Sequence, residues 1–206
     1  MKLPALPAKA GQKLTLGQLT GSSLSLMAAR LTQEAHRPVL LVTADTPSAL
    51  RLEQELQYLL ADTSCPVLLF PDWETLPYDT FSPHQDIISQ RLETLYKLPQ
   101  MSSGVLIVPI STLMLRTAPR VYLDKYSLMV KSGQRLNLQQ LRARLAEAGY
   151  VAVEQVLEHG EFAARGSLLD LFPMGSSSPY RIDFFDDEVD SIRPFDPETQ
   201  RPGEPV

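Results

Sequence analysis

Hydrophobic positions in the first half of the chain alternate between two periods, and that alternation predicts the architecture. From residue 24 to 35, Leu24, Met27, Ala28 and Leu31 recur at helical spacing. Residues 38–43, Pro-Val-Leu-Leu-Val-Thr, form a continuous apolar run, the signature of a strand buried on both faces. Asp45-Thr46-Pro47 then opens a helix, with Asp45 or Thr46 as its cap and Pro47 in the first turn. That helix extends to about residue 60, with Leu50, Leu56 and Leu60 turned inward. Residues 66–70 read as a second buried strand, 87–98 as a helix, 104–109 as a third strand and 111–116 as a short helical stretch. Strands separated by helices imply βαβ units and a mainly parallel sheet.

The pattern changes near Pro119. Residues 127–131 read as a short strand, and 136–148 as an amphipathic helix with Leu138, Leu141, Leu145 and Ala148 on one face. Asn137 is placed to cap that helix and Gly149 to end it. Short strand-like runs follow at 151–157, 166–172, 180–185 and 189–195, broken by turns at 158–160, 173–179 and 186–188. Residues 160–164 read as a flexible link between them. Antiparallel hairpins packed on one helix make a small α+β domain. The expected organisation is therefore an α/β domain with a parallel sheet over residues 1–120 and an α+β domain over 121–206. There is no internal repeat.

Composition narrows the class. The chain has 206 residues, 44% hydrophobic and 21% charged, which is ordinary for a globular protein. A net charge of -5 argues against a domain that lives on nucleic-acid phosphates, where basic residues dominate affinity. The single Cys65 excludes an internal disulfide and a cysteine-based metal cluster. No apolar run is long enough to span a membrane, and the proline-containing N-terminus does not read as a secretory signal, so a cytoplasmic location is expected. The C-terminal Arg-Pro-Gly-Glu-Pro-Val reads as a linker within something longer.

Three stretches are candidates for catalysis. Gly17, Thr20, Gly21, Ser22, Ser23, Leu24 and Ser25 lie where a phosphate-binding loop would precede a helix. Ser25 stands where a magnesium-binding hydroxyl would be, but Leu24 replaces the lysine and Ser23 the preceding glycine, so the triphosphate has no compensating cation. A helix N-cap is the plainer account. Phe184-Phe185-Asp186-Asp187-Glu188 mimics a magnesium-holding strand end, but it reads equally as a solvated hairpin turn. The segment 72–84 carries aromatics and acids, with His84 near Asp79 and Asp86 but no matched nucleophile. There, Trp73, Leu76, Tyr78 and Phe81 are expected to pin the loop to a sheet edge. His36 and His159 read as surface residues. No catalytic residue and no metal ligand set is assigned. Arg165, Arg181 and Arg193, spread among Phe184, Phe185 and carboxylates, are of the types that anchor protein interfaces, although Arg165 could equally be a solvated arginine paired with a nearby Asp.

Three long strings carry a resemblance. Asp72-Trp73-Glu74-Thr75-Leu76-Pro77-Tyr78-Asp79 runs on to Ser82-Pro83-His84-Gln85-Asp86-Ile87-Ile88-Ser89-Gln90-Arg91-Leu92. Glu158-His159-Gly160-Glu161-Phe162-Ala163-Ala164-Arg165-Gly166 leads to Asp170-Leu171-Phe172-Pro173, and Tyr180-Arg181-Ile182-Asp183-Phe184-Phe185-Asp186-Asp187-Glu188 follows. Together they resemble the N-terminal region of the bacterial transcription-repair coupling factors, the Mfd family, from about residue 14 to 195. That region is similar to the excision-repair helicase UvrB. The resemblance implies a RecA-like domain 1a with a degenerate phosphate loop over 1–120, followed by a domain 2 over 121–206 that binds UvrA.

By the same resemblance, Arg165, Arg181 and Phe185 match the positions that contact UvrA. An adaptor role follows: the fragment recruits UvrA to lesions where RNA polymerase has stalled and catalyses nothing itself. The family's ATP- and Mg-dependent DNA translocase, and its contacts to RNA polymerase and DNA, belong to later domains. The link between Asp79 and Arg91 is too short, with only Phe81 as an aromatic, for UvrB's damage-wedging hairpin. Two other roles stay open: a nucleotide-dependent translocase element, and an autoinhibitory domain whose contacts with downstream domains mask the UvrA face.

Overall fold

A computed structural model describes residue 9 and residues 11–35, 37–76, 78–121, 123 and 129–206. In chain order the elements are α1 (Ser23–Ala35), β1 (Pro38–Thr43), α2 (Thr46–Leu59), β2 (Val67–Leu69), α3 (Gln85–Lys97), a 3₁₀ turn (Leu98–Gln100), β3 (Gly104–Pro109), α4 (Ile110–Leu113), α5 (Leu138–Glu147), β4 (Val151–Ala152), β5 (Glu161–Arg165), β6 (Leu168–Leu171), β7 (Tyr180–Phe185) and β8 (Glu188–Pro194). They form two compact units. One comprises Met1–Asp72 and Lys97–Arg116, the other Trp73–Tyr96 and Thr117–Val206. Residues 73–96, read from the sequence as part of the first domain, thus cluster with the second. The α/β class and the passage from a parallel sheet to an α+β unit are as expected.

In the first unit, β1, β3 and β2 lie side by side in that order, all parallel. Asp45 is the α2 cap: its Oδ1 accepts the Ser48 N–H at 2.8 Å, and Pro47 sits in the first turn. The helix buries Ala49, Leu52 and Leu56, with Leu60 just beyond it, against Leu69, Val105 and Ile107 and against Ala28 and Ala29 of α1. Leu50, expected inward, is exposed. At 100° per residue, the face holding Ala49, Leu52 and Leu56 leaves position 50 on the other side. β1 is not buried on both faces. It is an edge strand, and Leu40 and Val42 are exposed while Val39 and Leu41 pack on the core. The parallel turn into β3 depends on Gly104, whose φ of 116° is open only to glycine; a Cβ there would lie 2.5 Å from the Pro66 carbonyl oxygen.

The second unit is built on a five-stranded sheet in the order β4-β5-β6-β7-β8. β5 through β8 are joined antiparallel, but β4 pairs with β5 in parallel, which a reading in hairpins alone did not anticipate. Residues 161–164, expected to be flexible, are in β5, with Phe162 and Ala163 buried. The strand expected at 151–157 is confined to Val151–Ala152. Of the strand expected at 127–131, residues 127 and 128 lie outside the described residues and 129–131 are not extended pairs; Arg135 instead forms an isolated bridge to Glu188.

One face of this sheet packs on α5. Asn137 Oδ1 accepts the N–H groups of Gln139 and Gln140, capping the helix. Leu141 and Leu145 then bury against Phe162, Leu169, Leu171, Ile182, Phe184 and Val189. Strand alternation sends every second residue to the opposite face, where the site lies.

The segment 73–96 is fastened to this unit by polar groups. Ser89 Oγ of α3 accepts the Gly175 N–H at 2.8 Å. His159, expected at the surface, is largely enclosed: Nδ1 lies 2.8 Å from Asp86, Nε2 lies 2.8 Å from the Ser176 carbonyl, and the ring packs on Phe172. The preceding loop departs from expectation too. Leu76, Tyr78 and Phe81 do not pin it but are exposed, and only Trp73 is held, beneath the guanidinium of the buried Arg91 at 4.0 Å. His36 lies outside the described residues.

Candidate functional site

The outer face of the second unit's sheet gathers charged side chains around one carboxylate. Asp170 lies in the middle of β6, opposite Ala163 on β5 and Arg181 on β7. Its flanking residues Leu169 and Leu171 face the α5 core, so alternation turns Asp170 the other way. It is 2% exposed. Arg181 donates to both of its oxygens, from Nε at 2.7 Å and from Nη2 at 2.9 Å, the two-pronged geometry that makes an arginine–carboxylate pair strong and directional. Arg165, at the end of β5, donates from Nη2 to Asp170 Oδ2 at 3.2 Å.

The two arginines differ in freedom. Arg181 is about one-fifth exposed and lies over the Phe195 ring at 5.2 Å, whereas the Arg165 side chain is 59% exposed. The hydrogen bonds to Asp170 push the Arg181 guanidinium further toward its charged form; burial opposes this, and the charges of Asp170 and Asp183 support it. Below this cluster a small apolar layer of Val156, Ala163, Phe172 and Phe195 seats the face.

Phe185 shares the face, because positions 181, 183 and 185 of β7 point the same way. It pairs with Glu188 across the β7–β8 turn, and it is 76% exposed. The turn itself is Asp186-Asp187, with Asp186 at a φ of 54°. The Phe-Phe-Asp-Asp-Glu stretch is thus a hairpin. Arg165 and Arg181 come together at Asp170, and Phe185 stands at the far end of the same strand as Arg181.

The glycine- and serine-rich stretch of the first unit is arranged differently. The Ser23 hydroxyl donates to the Thr20 carbonyl at the start of α1, and Gly21 holds the turn at a φ of 56°. The hydroxyls of Ser22 and Ser25 both donate to the carboxylate of Glu55, from the middle of α2. Leu24 is partly exposed. A side-chain anion of the protein therefore occupies the hydroxyls that a phosphate loop would offer to a ligand. His84 lies 3.3 Å from Asp86, and Asp79 accepts the N–H of Leu76, so Asp79 and His84 do not form a pair. Among the described residues, no group of three His, Cys, Asp or Glu is placed to hold a metal ion. No described helix is long and apolar enough to cross a membrane.

Two residues at these sites were not singled out from the sequence alone. Asp170 interrupts the apolar run Leu168-Leu169-Asp170-Leu171-Phe172, and a lone charge inside a buried strand was the available signal. Glu55 had none, since its partners lie more than thirty positions away, for Ser22, or thirty, for Ser25.

Residues 128–206, which contain the Asp170 cluster and Phe185, match the family described as the UvrB interaction domain. The class is thereby set: a protein carrying a UvrB interaction domain behind a small parallel α/β unit. Nearly the whole chain is similar to transcription-repair-coupling factors, with 54% identity to that of Escherichia coli (strain K12) over 98% of this chain, and 50% to that of Haemophilus influenzae over 96%. The Bacillus subtilis (strain 168) protein is 33% identical over 90% of this chain. The chain belongs to the transcription-repair coupling factor family, and it spans 17%, 17% and 16% of the length of these three relatives.

Proposed function

We propose that this chain is the docking region of a transcription-repair coupling factor and that it recruits UvrA through the outer face of its second unit. One observation carries the reading: Arg165 and Arg181, the two arginines expected to contact UvrA, share a buried carboxylate on a sheet face that also presents an exposed Phe185. A guanidinium held in place by a neighbour loses little freedom when it meets a partner's carboxylate, and an aromatic ring standing in water gains by entering a pocket. The match to the UvrB interaction domain over this stretch supports the same reading.

In this proposal the chain does no chemistry. The longer protein's nucleotide-driven movement on DNA and its engagement of RNA polymerase reside elsewhere, and the Glu55 carboxylate that accepts the Ser22 and Ser25 hydroxyls supports a degenerate loop without a nucleotide. The test is calorimetric titration of the purified chain with UvrA. Arg165→Ala and Arg181→Glu should each abolish measurable capture, Arg165→Ala with the fold preserved and Arg181→Glu with some loss of stability because it strips the buried Asp170 of its partner, and binding should weaken with added salt. Undiminished affinity in both variants would refute the assignment.

A further inference from the structure

Four strands bring Ala163, Asp170, Arg181 and Arg193 into one row on the outer face. Arg181 and Arg193 stand directly opposite each other on β7 and β8, and like charges so placed repel. Arg181 is compensated by both oxygens of Asp170. Asp183, two residues along β7 on the same face, accepts the Ser191 hydroxyl at 3.2 Å, and Glu161 of β5 accepts the N–H groups of Leu157 and Glu158. Among the described residues the Arg193 guanidinium has no ion-pair or hydrogen-bond partner, and its Nε is buried without an acceptor.

A buried N–H of a cation with no acceptor is unfavourable, and a facing like charge adds to the cost. Neither feature helps the sheet to fold. Of the three guanidiniums here, those of Arg165 and Arg181 meet Asp170, while that of Arg193 meets no carboxylate among the described residues. The missing group is an anion from outside.

We infer that Arg193 is a third docking arginine, and that it takes an acidic side chain of the partner protein alongside Arg165 and Arg181. The planar fork of an arginine matches a carboxylate, and the half-buried position of Arg193 holds its side chain in place while leaving part of it reachable. This inference rests on the UvrA-docking reading and adds to it the charge of the partner's surface.

The experiment compares binding of UvrA to the wild-type chain and to the R193A, R193K, R165A and R181A variants, over a range of salt concentrations. R193A should weaken binding about tenfold and flatten its salt dependence. Its melting temperature should not fall, because no internal bond is lost. R193K should recover only part of the affinity, since an ammonium cannot present the fork. Wild-type affinity in R193A alongside lost affinity in R165A and R181A would overturn the inference and leave the docking reading intact. A melting-temperature loss in R193A would make its role structural and would overturn it as well. Failure of the wild-type chain to bind UvrA would instead overturn the docking reading on which the inference rests.

Discussion

Asp170 and Arg181 face each other across β6 and β7, and the guanidinium engages both carboxylate oxygens of a residue that is 2% exposed. Removing the carboxylate takes both side-chain hydrogen bonds from Arg181 and frees Arg165. Asp170→Ala should cost about 1–3 kcal/mol, since Arg181 keeps some access to water. Urea denaturation of the variant checks the value. An unchanged midpoint would mean that the pair contributes only orientation.

Glu55 accepts from the hydroxyls of Ser22 and Ser25, and Ser25 is buried. Glu55→Ala strands the buried Ser25 hydroxyl and should destabilise the α1–α2 pair by about 1–2 kcal/mol, while Glu55→Gln, which keeps one acceptor oxygen, should recover part of it. Wild-type stability in Glu55→Ala would show that the bonds from Ser22 and Ser25 contribute nothing measurable.

Gly104 begins β3 at a φ of 116°, against the Pro66 carbonyl. Gly104→Ala should destabilise the first unit by at least about 1–3 kcal/mol from backbone strain, with steric overlap in addition. Hydrogen exchange at Val105 and Ile107 reads the effect at the sheet centre, where faster exchange is expected and wild-type protection would contradict it.

Tyr150 accepts the Met174 N–H at 3.0 Å, and burial raises its phenol above the usual value, partly offset by that bond. The folded state thus holds the proton more tightly than the unfolded one. Its stabilising contribution is complete below the unfolded value of about 10 and is lost as pH rises through the folded value. Tyr150→Phe removes both the acceptor and this dependence. The stability gap between wild type and Tyr150→Phe should therefore narrow above about pH 10, and a gap that stays constant to higher pH would contradict the direction.

Much of the fold was legible along the chain. Apolar runs and helical spacing located β1 and β3, α1, α2 and α5, and the caps Asp45 and Asn137 were readable because a cap is a local hydrogen bond. Local signals failed where burial depends on the neighbours of an element. The run 38–43 reads as doubly buried, but a strand's own residues do not reveal that it lies at a sheet edge. Residues 161–164 looked mobile because of the glycine before them, yet the ladders to β4 and β6 hold them in place.

Read along the chain alone, the residues already carried the α/β-then-α+β order, the loss of a phosphate-binding lysine at Leu24, and the arginines and phenylalanine of the family strings. It took the folded chain to bring Arg165 and Arg181 together at Asp170, to leave Arg193 without an anion among the described residues, to set Glu55 against the serine hydroxyls, and to join residues 73–96 to the second unit. Propensity, caps and turns act over a few residues and are written in local order. Charge pairing across strands depends on register, and register is set by the packing of the whole sheet on α5.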